Sequence, residues 1–139
     1  MTERGAAGDL ARFAAVGGLG TLTNLAVFWL VVDAPRTSFA PPLAGAACAF
    51  GVAVTQNYAL NELWTFRGRA PGRAGLSLRR YASFVAASLL GFAVNAAVLV
   101  ALLATVELPA ASIAQAIGIA AGMGFNFAAS RLVVFRRGR

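Results

Sequence analysis

The sequence predicts an all-α membrane protein: four transmembrane helices forming two parallel two-helix repeats, with the N and C termini both cytoplasmic. Three observations lead there. Charge is segregated: eleven of the twelve basic residues, all of them arginine, fall into three clusters separated by four long stretches without a charged residue. Hydrophobic residues make up 59% of the 139 residues and charged ones only 12%, whereas a soluble domain is about one quarter charged and needs that material to face water. The second half of the chain also repeats motifs of the first.

The uncharged stretches are residues 13–32, 37–61, 81–106 and 108–130. Each is long enough to cross a hydrocarbon core of roughly 30 Å as a helix rising about 1.5 Å per residue. Arg4 and Arg12 precede the first. Arg67, Arg69, Arg73, Arg79 and Arg80 lie between the second and third, and Arg131, Arg136, Arg137 and Arg139 close the fourth. With four crossings these clusters share a face, and short basic loops stay in the cytoplasm. The opposite face carries Asp33, Arg36 and Glu107 and is close to neutral. The net charge of +7 is therefore read as orientation and contact with anionic membrane lipid, and no nucleic-acid partner is expected. Residues 1–12 with the apolar run after them are not expected to be a signal peptide. That run is too long, no A-x-A-like site follows Val32, and the segment has a counterpart later in the chain.

Asn57 to Arg67 aligns with Asn126 to Arg136, matching at Asn, Ala, Leu, Phe and Arg, while Phe13, Gly20 and Asn24 align with Phe84, Gly91 and Asn95. The repeated unit is a two-helix hairpin, about 10–69 and about 79–138, within one domain covering 1–139. Because each unit crosses twice, the copies keep one orientation and are expected to be related by an axis along the membrane normal. The Gly- and Arg-rich linker 68–78 is expected to be mobile.

Small residues lead to an amide in every span: Gly20 to Asn24, Ala49 and Ala53 to Asn57 and Asn61, Ala87 and Gly91 to Asn95, Gly118 and Gly122 to Asn126 and Ser130. A spacing of four puts each set on one helix face. Counted from the arginines at the span ends, Asn24, Asn57, Asn95 and Asn126 lie roughly 15 to 22 Å deep, near the bilayer middle. Two compatible readings follow. The amides are interhelical glue, worth about 0.6 to 2 kcal/mol per contact, or they line a hydrated groove for a polar passenger. Glu62 and Arg131 occupy equivalent places at roughly 7 Å depth. Charges there are costly unless paired, so they form an ion pair between the copies or take part in phosphate handling or coupling. Histidine is absent and Cys48 is the lone cysteine, so no metal, disulfide or cofactor is expected. No paired deep carboxylates or phosphate-binding loop are present, and no enzymatic activity is expected.

Three motifs carry a family resemblance: Asn57-Tyr58-x-x-Asn61-x-x-Trp64-Thr65-Phe66, Arg12-Phe13-x-x-Val16-Gly17 followed by Thr21 and Asn24, and Asn126-Phe127-x-x-x-Arg131-x-x-Val134-Phe135. Together, from about Leu10 to Arg136, they resemble the GtrA-like family of small four-span membrane proteins. Val133 replaces the usual aromatic late in the fourth span, and Arg80-Tyr81 replaces an Arg-Phe pair.

The resemblance implies a flippase that moves a polyprenyl-phosphate-linked monosaccharide across the bacterial cytoplasmic membrane for envelope polysaccharide or glycoconjugate synthesis. Under it, Arg12, Arg67, Arg80, Arg131 and Arg136 receive the phosphate, and Asn24, Asn57, Asn61, Asn95 and Asn126 form the polar seam for the sugar. Tyr58 and Trp64 either stack on the sugar or mark the membrane interface, where aromatics are common. Transport is either downhill or coupled to an ion through Glu62. A membrane glycosyltransferase is a candidate partner, and a homodimer is expected because four helices make a thin wall around a sugar. Two other classes stand beside this: a non-transporting scaffold for a polyprenyl-phosphate glycosyltransferase, and a small multidrug-type exporter. The exporter needs a deep acidic residue in the first span, and residues 13–32 contain none.

Overall fold

The structure is a computed structural model that describes the backbone of residues 3–65 and 76–135 and the side chains of 11–65 and 76–125. Among the described residues it is all-helical, with four long helices: α1 (Glu3–Phe28), α2 (Pro42–Leu60), α3 (Leu78–Thr105) and α4 (Ala111–Phe135). The first two each widen into a π-helical turn, Trp29–Asp33 after α1 and Asn61–Thr65 after α2.

The helix boundaries follow from local chemistry. Ala34 is extended, at φ −68° and ψ 128°, as the residue before Pro35 must be, and that ends the first span. The connection then folds back onto it. Thr37 Oγ1 donates to the Leu30 carbonyl at 2.6 Å, and the Phe39 and Ala40 amides both donate to the Val31 carbonyl at 3.0 Å, which satisfies groups a helix end leaves orphaned. Extended Pro41 precedes Pro42 at the first helical position of α2, where a missing N–H costs nothing. The second span expected from residue 37 therefore starts later.

Consecutive helices make the most extensive contacts, α1 with α2 and α3 with α4. Lighter α2–α3 and α1–α4 contacts close a ring. Arg12 near the start of α1 stacks over Trp64 at the end of the second span, and Glu62 there pairs with Arg80 at the start of α3. Those ends lie together. At the other end, Asp33 meets the start of α4. Phe28, Ala46, Ala49, Leu99 and Ala114, drawn from all four helices, form a fully buried cluster toward that second end.

Ala11–Asp33, Pro42–Thr65 and Leu78–Thr105 are long and apolar enough to cross a membrane. Only 11% of the apolar window of Leu78–Thr105 is buried inside the bundle, so most of that surface must meet a solvent that is itself apolar. Leu22, Leu89, Leu90 and Val100 are among the exposed side chains. This is a multi-pass membrane protein. The fourth expected span is helical as Ala111–Phe135, of which the apolar stretch Ala111–Phe125 lies within the described side chains. The linker expected at 68–78 falls outside the described residues up to residue 75, and Leu78 already opens α3.

Candidate functional site

A cavity of about 380 Å³ lies between the four helices, on the arginine-bearing side of the buried cluster. That volume suits a small-molecule site. Phe13, Phe50, Phe84 and Phe92 supply apolar wall, while Thr21, Asn24, Asn57, Ser88 and Asn95 supply polar atoms. Asn24 and Asn95 lie at its inner floor, since Phe28 and Leu99 of the buried cluster follow one helical turn further along α1 and α3.

Glycines make room for these amides. A Cβ on Gly20 would overlap the Asn57 side chain, and one on Gly118 would overlap Asn95 Oδ1. At Gly122 a Cβ would sit 2.6 Å from the Gly91 carbonyl oxygen, so the α3–α4 backbones approach as closely as small residues allow. In each pair of consecutive helices a glycine of one thus makes room for an amide of the other.

The hydrogen bonds separate the two readings of the amides. Asn24 Oδ1 accepts from Gln115 Nε2 at 2.8 Å, a fully buried bond between α1 and α4. Asn57 Oδ1 and Asn95 Oδ1 are buried with no partner among the described residues. Each such orphan costs about 1 to 3 kcal/mol, which glue would not leave unspent and which a polar guest or ordered water relieves. Asn24 is tied to α4, whereas the Asn57 and Asn95 oxygens have no partner among the described residues.

A second recess of about 610 Å³ lies at the arginine-bearing end, lined by Tyr58, Asn61, Glu62, Ser77, Arg79, Arg80, Ser83 and Phe84. Phe84 lines both spaces. Arg80 Nη2 lies 3.0 Å from Glu62 Oε2, and its Nε donates to the same oxygen at 3.2 Å. The Glu62 side chain is only 8% exposed, so the pairing offsets the desolvation of a carboxylate placed near the bilayer. Asn61 Oδ1 and Thr65 Oγ1 are buried without a partner among the described residues.

Tyr58 is buried, and its hydroxyl closes a two-way clamp on Ser77, donating to the carbonyl at 2.8 Å and accepting from the amide at 2.9 Å. Its ring stands edge-on to Tyr81 with centroids 5.3 Å apart. The start of α3 is held this way in the absence of a side-chain cap. Trp64 is half exposed, lines neither space, and carries the Arg12 guanidinium 5.9 Å from its ring centroid, a cation–π contact.

Of the residues expected from sequence, Asn24, Asn57 and Asn95 meet in the cavity, and Tyr58, Asn61, Glu62 and Arg80 meet in the recess. Arg67, Arg136 and the side chains of Asn126 and Arg131 lie outside the described residues, and with them the expected Glu62–Arg131 pairing. Sequence reasoning missed Arg79, which lines the recess, and Gln115, which holds Asn24. It also left Asp33 as a loop charge. The Asp33 carboxylate accepts from the Ala111 amide at 3.1 Å and the Ser112 amide at 2.7 Å, capping the positive end of α4. A lone amide inside an apolar run was the available signal for Gln115.

Among the described residues, an apolar helical bundle with buried amides beside a recess lined by Arg79 and Arg80 defines a small multi-pass membrane protein with a polar interior. The chain belongs to the GtrA/DPMS transmembrane domain family, whose model matches residues 12–135, a family involved in handling lipid-linked sugars. No curated protein matches it.

Proposed function

We propose that the protein is a flippase that carries a polyprenyl-phosphate-linked monosaccharide from the cytoplasmic to the outer leaflet of a bacterial cytoplasmic membrane, for envelope polysaccharide or glycoconjugate synthesis. All four helices cross, the arginine-bearing end faces the cytoplasm, and transport needs no covalent chemistry. The sugar enters the cavity, the phosphate stays among the arginines of the recess, and the prenyl tail remains in lipid. The observation that carries this reading is the pair of amide oxygens without a partner among the described residues, Asn57 Oδ1 and Asn95 Oδ1, in a cavity that shares Phe84 as a wall with a recess lined by Arg79 and Arg80. A sugar offers hydroxyl donors to such oxygens, and a phosphate is matched by guanidinium groups. The proposal includes a homodimer, in which a second copy thickens the wall around the sugar.

The test is reconstitution of the purified protein in sealed vesicles with a labelled lipid-linked sugar, without nucleotide or ion gradient. The label is expected to reach the opposite leaflet. Asn57→Leu is expected to leave the bundle folded and slow transfer about tenfold or more, the equivalent of one lost hydrogen bond to a buried group. Label that stays on one leaflet with folded wild-type protein overturns the flippase reading and favours a scaffold for a glycosyltransferase.

A further inference from the structure

Along α3 the lining residues pass from one space to the other in order. Arg80 and Ser83 line the recess, Ala87 and Ser88 line the cavity, and Phe84 between them lines both. On α2 the change falls between Asn57, which lines the cavity, and Tyr58, which lines the recess. The rings of Tyr58 and Phe84 lie 6.0 Å apart and tilted by 51°, so both helices set the boundary at one level of the bundle. Among the described residues Phe84 is the one side chain common to the two spaces.

Its neighbour is fixed in place. Tyr58 is buried, and its hydroxyl is engaged twice by Ser77. The other phenylalanines of the cavity stand differently: Phe50 and Phe92 stack on each other with centroids 4.6 Å apart, and like Phe13 they border the cavity alone.

On the sugar-carrier reading the sugar occupies the cavity and the phosphate the recess. The C1–O–P linkage that joins them must then pass the wall the two spaces share. Resting on that reading, we infer that Phe84 is a specificity-determining residue at the glycosyl–phosphate linkage, which selects between the α and β anomers of the prenyl-phosphate-linked sugar. In glucose the C1–O bond runs close to the mean plane of the ring in one anomer and across it in the other. With the phosphate held in the recess, one anomer therefore brings a broad C–H face to the wall and the other brings a ring edge. A phenyl ring has a negative face and a positive edge, so the two anomers meet it with different contacts, and a wall that fits one obstructs the other.

Equilibrium binding tests this apart from transport. The probes are short prenyl-phosphate glucoses, as α and β anomers, and the matching galactoses, which differ at C4, away from the linkage. They are titrated into the purified full-length protein in detergent. Wild type is expected to favour one glucose anomer by about fivefold or more, the scale of an aromatic contact. Phe84→Leu, which stays apolar and removes the ring, is expected to bring that ratio below about twofold and to leave the glucose-to-galactose ratio unchanged. Phe50→Leu, on the cavity wall alone, is expected to keep the anomer ratio of wild type. Should Phe84→Leu fail to fold, Phe84→Met decides, since a flexible methionine fills the gap without a ring. The assignment is overturned if the anomer ratio survives loss of the ring, if it falls together with the glucose-to-galactose ratio as a packing defect would produce, if Phe50→Leu lowers it equally, or if wild type binds both anomers alike. Wild type that binds neither anomer overturns the sugar-carrier reading and the assignment with it. Anomer selection that collapses in Phe84→Leu, beside wild-type vesicles whose label stays on one leaflet, overturns the flippase reading and leaves the role of Phe84 standing.

Discussion

At the end of the bundle that carries the 34–41 and 106–110 connections, Phe28, Leu99 and three alanines are fully buried, and Asp33 ties the close of the first span to the first amides of α4. At the opposite end a recess of about 610 Å³ stands among Tyr58, Glu62, Arg79 and Arg80, and the contacts that hold it are polar and partly exposed. One end is packed with apolar side chains, and the recess at the other is lined by charged and polar ones. Among the described residues the bundle is thus packed beyond Asn24 and Asn95 and leaves a recess beside Arg79 and Arg80.

Three substitutions test the contrast. Leu99→Ala at the packed end is expected to have the largest effect, a loss of about 1 to 3 kcal/mol in detergent unfolding. That is below the 2 to 5 kcal/mol of a water-soluble core, because lipid is as apolar as the side chain and only packing is lost. If the far end is truly the closed gate, the same variant also raises the reactivity of a cysteine placed at Ala46; unchanged reactivity contradicts a plug there. At the charged end, Glu62→Gln is expected to cost about 1 to 2 kcal/mol, since it strips the acceptor charge from a partly exposed arginine. Exchanging the two residues, Glu62→Arg with Arg80→Glu, is expected to recover most of that loss, and no recovery in the melting temperature of the double variant argues against a direct pair. Asp33→Ala should be the mildest, about 1 kcal/mol for a lost helix cap. Hydrogen exchange is expected to quicken at Ala111 and Ser112 alone, and an effect spread along α4 would show that the residue does more than cap.

The amides of the seam were legible because the repeat placed them: Gly20 with Asn24 and Gly91 with Asn95 stand out when the halves are aligned. The same alignment hid Gln115. Its counterpart in the first hairpin is Ala46, itself fully buried, so the residue looked like an irregularity in an apolar helix. Asp33 was hidden for another reason. The start of α4, Pro109-Ala110-Ala111, offers no Ser, Thr or Asp of its own, and the carboxylate that caps it comes from far away in the chain. Glu62 was recognised as a charge in need of a partner, and among the described residues it pairs with Arg80 of the neighbouring helix in the ring.

Charge segregation and hydropathy act along the chain, so the sequence by itself settled that this is an all-helical membrane protein and which stretches of the chain form its long helices. Partnership acts across the chain. Which amide meets Gln115, that Arg80 pairs with Glu62, and where the buried cluster forms depend on rotations and approaches of whole helices. In an apolar solvent those approaches are set by close packing at a few glycines, and one-dimensional spacing reports that glycines are there without reporting what they let in.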